Sequence, residues 1–249
     1  MRTNKELFIL GSGTMARALA QGLRDEYRVF IVGREGLRLA EFSKNGFETL
    51  LYDEFNAENK DIILAFKPYA LDEVAKRLTG RARIAISILA NKDFSHLKAN
   101  LKAQNLVLAM PNTAAFYKKS TTPFVCENAK FKDEINAILS AFGQAFELES
   151  PALMGAAMAI SGCAPAFLAL VAESIAGGGV YEGLKKETSL KLTQSLFEGF
   201  SELLKHEHPA IIKEKICSPG GVTIKGVKIL EDKAIRGAFF SAINASAAR

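Results

Sequence analysis

Leu7-Phe8-Ile9-Leu10 runs straight into Gly11-Ser12-Gly13-Thr14-Met15-Ala16, and no other stretch of the 249 residues restricts the fold so tightly. It reads as a strand, a G-x-G-x-x-A turn and a helix on which Met15, Leu19 and Leu23 share one face. Gly11 allows the tight turn, Gly13 lets the backbone approach a pyrophosphate, and Ala16 is small enough for close helix–strand contact. The helix start adds free N–H groups and a partial positive charge. Strand before and helix after turn a weak motif into the expectation of a dinucleotide site over Gly11, Ser12, Gly13, Thr14 and Met15.

The next strand, Arg28–Val32, ends at Gly33-Arg34. An acidic residue there would hold the ribose hydroxyls of NAD, whereas Arg34 can fork onto the extra phosphate of NADP. The expected coenzyme is therefore NADPH, with NADH possible; the bland alternative is that Arg34 merely starts a surface helix, Glu35–Ser43. Short apolar runs follow at Asp61–Phe66, Arg83–Leu89 and Leu106–Met110, with a helix at Leu71–Leu78 between the first two. Strands alternating with helices imply an α/β fold with a doubly wound parallel sheet, whose ligands sit beyond the carboxyl ends of the strands. Lys67, Ser87 and Asn112 fall at those ends and are expected to face one crevice. Thr121–Cys126 and Ala145–Glu147 read as closing strands, with a helix at Phe131–Phe142 between them.

The pattern then turns wholly helical, so the expected domains are 1–150 and 151–249. Ser150 to Ala172 carries no charge and is long enough to span a bilayer. Pro151, Gly155, Gly162 and Pro165 would free backbone groups in lipid, so the better expectation is a buried helix pair broken at Ser161-Gly162. A helix over Ala166–Ile175 is expected to stop at Gly177-Gly178-Gly179. Lys186–Lys205 carries Leu192, Leu196, Phe200 and Leu203 on one stripe with Leu190, Phe197 and Leu204 beside it. So broad an apolar face exceeds what a small helical domain covers and suggests a partner subunit.

Charge narrows the function classes. The formal net charge of +5 is spread along the chain without a basic block, which gives no support to nucleic-acid binding and favours small anionic ligands. Cys126, Cys163 and Cys217 stand far apart, an odd count that suits a reducing compartment and no zinc site. The N-terminal apolar run is too short for a signal peptide, and a cytoplasmic protein is expected. His96, His206 and His208 form no triad with a Ser or Cys motif.

A second glycine turn lies at Ser218-Pro219-Gly220-Gly221-Val222-Thr223. It precedes a helical stretch, Thr223–Leu230, and combines free N–H groups with two hydroxyls, a natural cradle for a carboxylate. Taken with Ala65-Phe66-Lys67-Pro68, Met110-Pro111-Asn112-Thr113, Ser161-Gly162, Pro165-Ala166-Phe167, His208-Pro209-Ala210 and Arg236-Gly237, the order and spacing resemble the pyrroline-5-carboxylate reductases over essentially the whole chain.

That resemblance implies an N-terminal Rossmann-type domain, a C-terminal all-helical dimerisation domain, and reduction of 1-pyrroline-5-carboxylate to L-proline by NAD(P)H at a site shared between subunits. It implies that Thr223 hydrogen-bonds the ring nitrogen, while Ser218 and the amides of Gly220, Gly221, Val222 and Thr223 hold the carboxylate. Ala65, Phe66, Lys67 and Pro68, with Ile88, Leu89 and Ala90, would lie along the cofactor, and Asn112 would join them. Ala114 replaces the usual proline after Met-Pro-Asn-Thr, Cys163-Ala164 replaces a small pair, and Asn91 stands where glycine is usual. A cyclic imine arriving protonated needs no acid from the chain, which agrees with the missing histidine triad. Rival readings are a β-hydroxyacid dehydrogenase, which would need an acid such as Lys185, Lys186 or Lys191, and a non-catalytic NADP-binding regulator.

Overall fold

The computed structural model describes residues 5–34 and 36–247. Elements alternate through the first half of the chain: β1 (Glu6–Leu10), α1 (Thr14–Leu23), β2 (Arg28–Gly33), α2 (Leu37–Lys44), β3 (Glu48–Leu51) and β4 (Asp61–Leu64). They continue with α3 (Leu71–Arg77), β5 (Ala82–Ser87), α4 (Phe94–Asn100), β6 (Ala103–Ala109), β7 (Ser120–Cys126), α5 (Lys132–Ser140) and β8 (Gly143–Glu147). The surface helix expected over Glu35–Ser43 is α2; Glu35 itself lies outside the described residues.

Among the described residues the sheet has eight strands in the order β3-β2-β1-β4-β5-β6-β7-β8. Pairing is parallel except between β6 and β7, so the last two strands run against the rest. The expected parallel sheet is thus corrected at its far edge. The β6–β7 connection is short, and a parallel return needs a crossover of a dozen or more residues.

Strand composition follows from burial on both faces. Leu7 and Ile9 of β1 enter one apolar cluster with Leu19 and Ile31, while Phe8 and Leu10 enter the other with Phe30 and Leu64. Each such side chain contributes roughly 1.5–3 kcal/mol on leaving water. Gly22 lets α1 sit against the 3₁₀ turn Thr113–Tyr117, since a Cβ there would lie 2.4 Å from the Ala115 carbonyl oxygen.

The remaining elements are helical: α6 (Met154–Met158), a π turn (Ala159–Cys163), α7 (Ala164–Tyr181), α8 (Lys186–His206), α9 (Pro209–Ile216), α10 (Val222–Asp232) and α11 (Ile235–Ala247). Two sequence expectations change here. The helix pair is not broken at Ser161-Gly162, because the chain widens into the π turn instead. Nor does the helix stop at Gly177–Gly179; α7 runs on to Tyr181. An interior glycine costs only about 1 kcal/mol, and Gly179 is repaid by close packing. A Cβ there would meet Ser189 Oγ at 2.4 Å, and that hydroxyl donates to the Ala176 carbonyl at 2.7 Å.

Compactness divides the chain after Gly162, one unit running through that residue and the other being Cys163–Ser246. The sequence boundary at residue 150 marks where the strands end. The segment beyond it stays with the sheet, because Met154 joins its core and Ser161 is bonded to the loop after β6. In the second unit the apolar residues are largely uncovered within one chain: Leu192, Leu196, Phe200 and Leu203 are all exposed. Pro151–Tyr181 is long and apolar enough to cross a membrane by length and composition, with 11% of its most apolar window buried. The burial expected for this stretch does not occur within one chain.

Candidate active site

The first glycine turn lies at the switch point of the sheet. β1 sits between β2 and β4, with its chain neighbour β2 on one side and the first strand of the second half on the other. Gly11 has φ +128°, a backbone region that favours glycine, and a Cβ there would come within 2.5 Å of the Ala65 carbonyl oxygen. Its amide donates to the Val32 carbonyl at 2.7 Å, and the Ala65 amide donates to the Leu10 carbonyl at 2.8 Å. These bonds close the ends of β1, β2 and β4 onto one another.

Gly13 differs from Gly11. It is extended, at φ −87° and ψ −172°, and an added Cβ would meet nothing within 4 Å. α1 has no side-chain cap and no acidic residue in its first turn. Unclaimed N–H groups, a positive helix end and open space above Gly13 fit the pyrophosphate of a dinucleotide. Ser12, Thr14 and Met15 border that space and are half-buried or exposed, whereas Ala16 is fully buried against the sheet.

The strand-end residues do not behave alike. Lys67 is exposed, and its carbonyl starts the 3₁₀ turn Pro68–Ala70. Ser87 does not face a crevice: it is 1% exposed, and its Oγ accepts from the Leu89 amide at 3.3 Å. Leu89 likewise turns into the core, so the Ile88–Ala90 stretch can offer a cofactor backbone and the flanking side chains only. The Asn112 side chain is already engaged. Its Oδ1 accepts from the Ala114 amide at 3.0 Å, and its Nδ2 donates to the Ser161 carbonyl at 2.8 Å. The first of these bonds needs an N–H at position 114, which a proline would not provide. Asn91 has φ +58°, so the preference for glycine there is a backbone requirement that Asn tolerates.

Arg34 stands just past β2, and its Nη1 lies 3.8 Å from Glu73 Oε1 in the first turn of α3. Tyr52 and Arg77 complete this corner. The Arg77 guanidinium lies 5.5 Å from the Tyr52 ring centroid and binds Asp53 through two bonds of 2.9 and 2.8 Å. Burial pushes the Tyr52 hydroxyl up to about 12 against the opposing pull of Arg34 and Arg77. The sequence reading of a helix over Leu71–Leu78 does not single out Glu73. The acidic pair Asp72-Glu73 opening that helix was the available signal.

The second glycine turn leads into α10, whose N-cap is Gly221, without a side-chain cap. Gly220 has φ +69°, and the Gly221 amide donates to the Ser218 carbonyl at 3.1 Å. Ser218 Oγ packs so close to Gly221 that a Cβ there would sit 2.4 Å away. Val222 and Thr223 are exposed. The turn thus presents two hydroxyls and the unclaimed first-turn amides of α10 to solvent.

Each histidine is engaged locally: His96 bonds Asp93, His206 bonds Glu202, and His208 caps α9. Lys191, one of the lysines a β-hydroxyacid dehydrogenase would need, is exposed and paired with Glu187 at 2.7 Å.

Comparisons with known proteins agree with this geometry. Residues 151–249 match the family described as pyrroline-5-carboxylate reductase dimerisation, and residues 6–91 match that described as NADP oxidoreductase coenzyme F420-dependent. The pyrroline-5-carboxylate reductase of Helicobacter pylori is 34% identical over 251 residues, covering 96% of each chain. The crystal structure of 1-pyrroline-5-carboxylate reductase from Streptococcus pyogenes superposes with a TM-score of 0.88 at 25% identity, covering 97% of this chain and 96% of that one. The Plasmodium falciparum pyrroline carboxylate reductase, solved with NADP bound, gives 0.82 at 26% identity, covering 97% and 96%.

Proposed function

This chain belongs to the pyrroline-5-carboxylate reductase family, and on that premise we propose how its own residues reduce 1-pyrroline-5-carboxylate to L-proline with NAD(P)H. It is an oxidoreductase acting on a C=N bond, built from an NADP-binding Rossmann-type domain and a helical domain that assembles copies of the chain. The observation that carries the residue-level reading is the uncapped start of α10 behind Ser218-Pro219-Gly220-Gly221.

The reduced nicotinamide, when bound, supplies a hydride. Ser12, Gly13, Thr14 and Met15 hold the pyrophosphate with backbone N–H groups, while Gly11, whose own amide is bonded to the Val32 carbonyl, sets the turn that aims them. Arg34 takes the 2′-phosphate and makes NADPH the preferred coenzyme. Ala65–Pro68 and Ile88–Ala90 border the remainder, and Asn112 contributes by fixing the loop after β6.

Ser218 and the amides of Gly220, Val222 and Thr223 hold the substrate carboxylate at the positive end of α10, while the Gly221 amide closes the turn onto the Ser218 carbonyl. Thr223 Oγ accepts the hydrogen bond of the protonated ring nitrogen, which aligns the imine carbon. That carbon accepts the hydride, the C=N double bond becomes a single bond, and the nitrogen keeps its proton. The chain's share of catalysis is positioning, so no residue changes protonation state. The exposed leucines and phenylalanines of α8 bury themselves against a second copy, making a dimer the smallest working unit.

Thr223→Ala is expected to lower kcat by roughly 10- to 1000-fold while the NADPH Kd stays the same. Steady-state kinetics with pyrroline-5-carboxylate alongside coenzyme titration checks this. An unaltered kcat would remove Thr223 from the mechanism.

A further inference from the structure

Among the described residues, one carboxylate, Glu73, lies against Arg34 in a corner whose other guanidinium is already committed. Arg77 is occupied by Asp53 through a two-bond pair, whereas Arg34 meets Glu73 at 3.8 Å through side chains 70% and 58% exposed. A solvent-exposed pair of that length exchanges readily. It links the residue just past β2 to the first turn of α3, the helix that follows β4; β2 and β4 are the two strands either side of β1.

A phosphate carrying close to two charges would outcompete Glu73 for the guanidinium. The carboxylate left behind would then face the phosphate as a like charge. We propose that Glu73 tunes coenzyme discrimination: it occupies Arg34 when no 2′-phosphate is present and opposes that phosphate on arrival, tempering the preference Arg34 confers. This rests on the reading of Arg34 as the 2′-phosphate ligand. Glu73 is a positioning residue here, acting through Arg34 on one end of the coenzyme. The Tyr52 hydroxyl lies in the same corner, where Arg34 and Arg77 favour its ionised form and Glu73 opposes it.

The test is calorimetric titration of the full chain with NADP⁺ and, separately, NAD⁺. Glu73→Gln is expected to tighten NADP⁺ binding by about two- to tenfold and to move NAD⁺ binding by less than about twofold. Raising the salt to about 0.5 M should shrink the gain, because the effect is electrostatic. Glu73→Asp, which keeps the charge, is expected to lie closer to the unmodified protein than Glu73→Gln. Kinetically, the gain appears in the NADPH KM and leaves kcat alone.

Arg34→Ala separates the two layers of the argument. If it weakens NADP⁺ selectively while Glu73→Gln leaves the NADP⁺/NAD⁺ ratio unmoved, the role of Glu73 is overturned and that of Arg34 stands. If Arg34→Ala leaves the ratio unmoved, the assignment of Arg34 fails and Glu73 falls with it. In the Arg34→Ala background the Glu73→Gln gain is expected to diminish. An undiminished gain would overturn action through Arg34.

Discussion

The sheet-bearing unit and the helical unit solve the burial problem in opposite ways. Through Gly162, nearly every large apolar residue of β1, β2 and β4 finds cover within the same chain, and Leu7, Ile9, Leu10 and Ile31 have no exposed surface. In Cys163–Ser246 the long helices leave Leu170, Leu192, Leu196 and Phe240 open to solvent, the last at 81%. Scattered apolar exposure is ordinary, but whole helix faces are not. The difference teaches that the sheet-bearing half is complete in one chain, while the helical half, which matches the dimerisation family, needs another copy to cover its apolar faces.

Charging the uncovered face should break that contrast most severely. Leu196→Glu or Phe200→Glu buries an unpaired carboxylate in any assembly, at a cost of roughly 3–5 kcal/mol. Dissociation by light scattering and loss of reductase activity are the expected results. Leu37→Glu, at an exposed apolar position of the sheet-bearing unit, should leave both as they were. Equal effects at the two sites would abolish the distinction between the halves.

Next in size come the two glycines of the first turn. Gly11→Ala forces a Cβ against the Ala65 carbonyl in a backbone region hostile to side chains, so about 2–5 kcal/mol of stability should disappear in a urea titration. Gly13→Ala meets open space and extended backbone, so the same titration should shift by less than about 1 kcal/mol. Its NADPH Kd should weaken all the same, because the new methyl occupies the approach to the phosphate. Reversed effects would mean that the turn is built for a different purpose.

The legible parts of this chain are those where local chemistry and tertiary packing agree. The Leu7–Ala20 stretch reads correctly because glycine geometry and apolar runs point to the same βα unit. β3 escapes notice, since Glu48–Leu51 is a short edge strand, half-buried and without alternation. α4 was equally readable in principle from the Asp93 cap, whose Oδ1 accepts from the His96 amide at 2.9 Å. The Gly177–Gly179 run misleads because glycine weakens a helix locally, whereas Ser189 rewards the close approach from α8. In the candidate site, position along the chain brings Ser87, Leu89 and Asn112 to strand ends, but only packing decides which way each side chain turns. The Arg34–Glu73 pair is invisible to any periodicity, since its partners lie on elements separated by two strands in sequence.

The central claim is that this chain, once assembled, passes a hydride from NAD(P)H to a cyclic imine held by its carboxylate. The most direct measurement follows NADPH absorbance on adding racemic pyrroline-5-carboxylate and identifies the product by mass and chirality. Stoichiometric oxidation of NADPH with appearance of L-proline is the predicted result. Coenzyme that binds but is not oxidised, or is oxidised only by a hydroxy- or keto-acid pair, would contradict it.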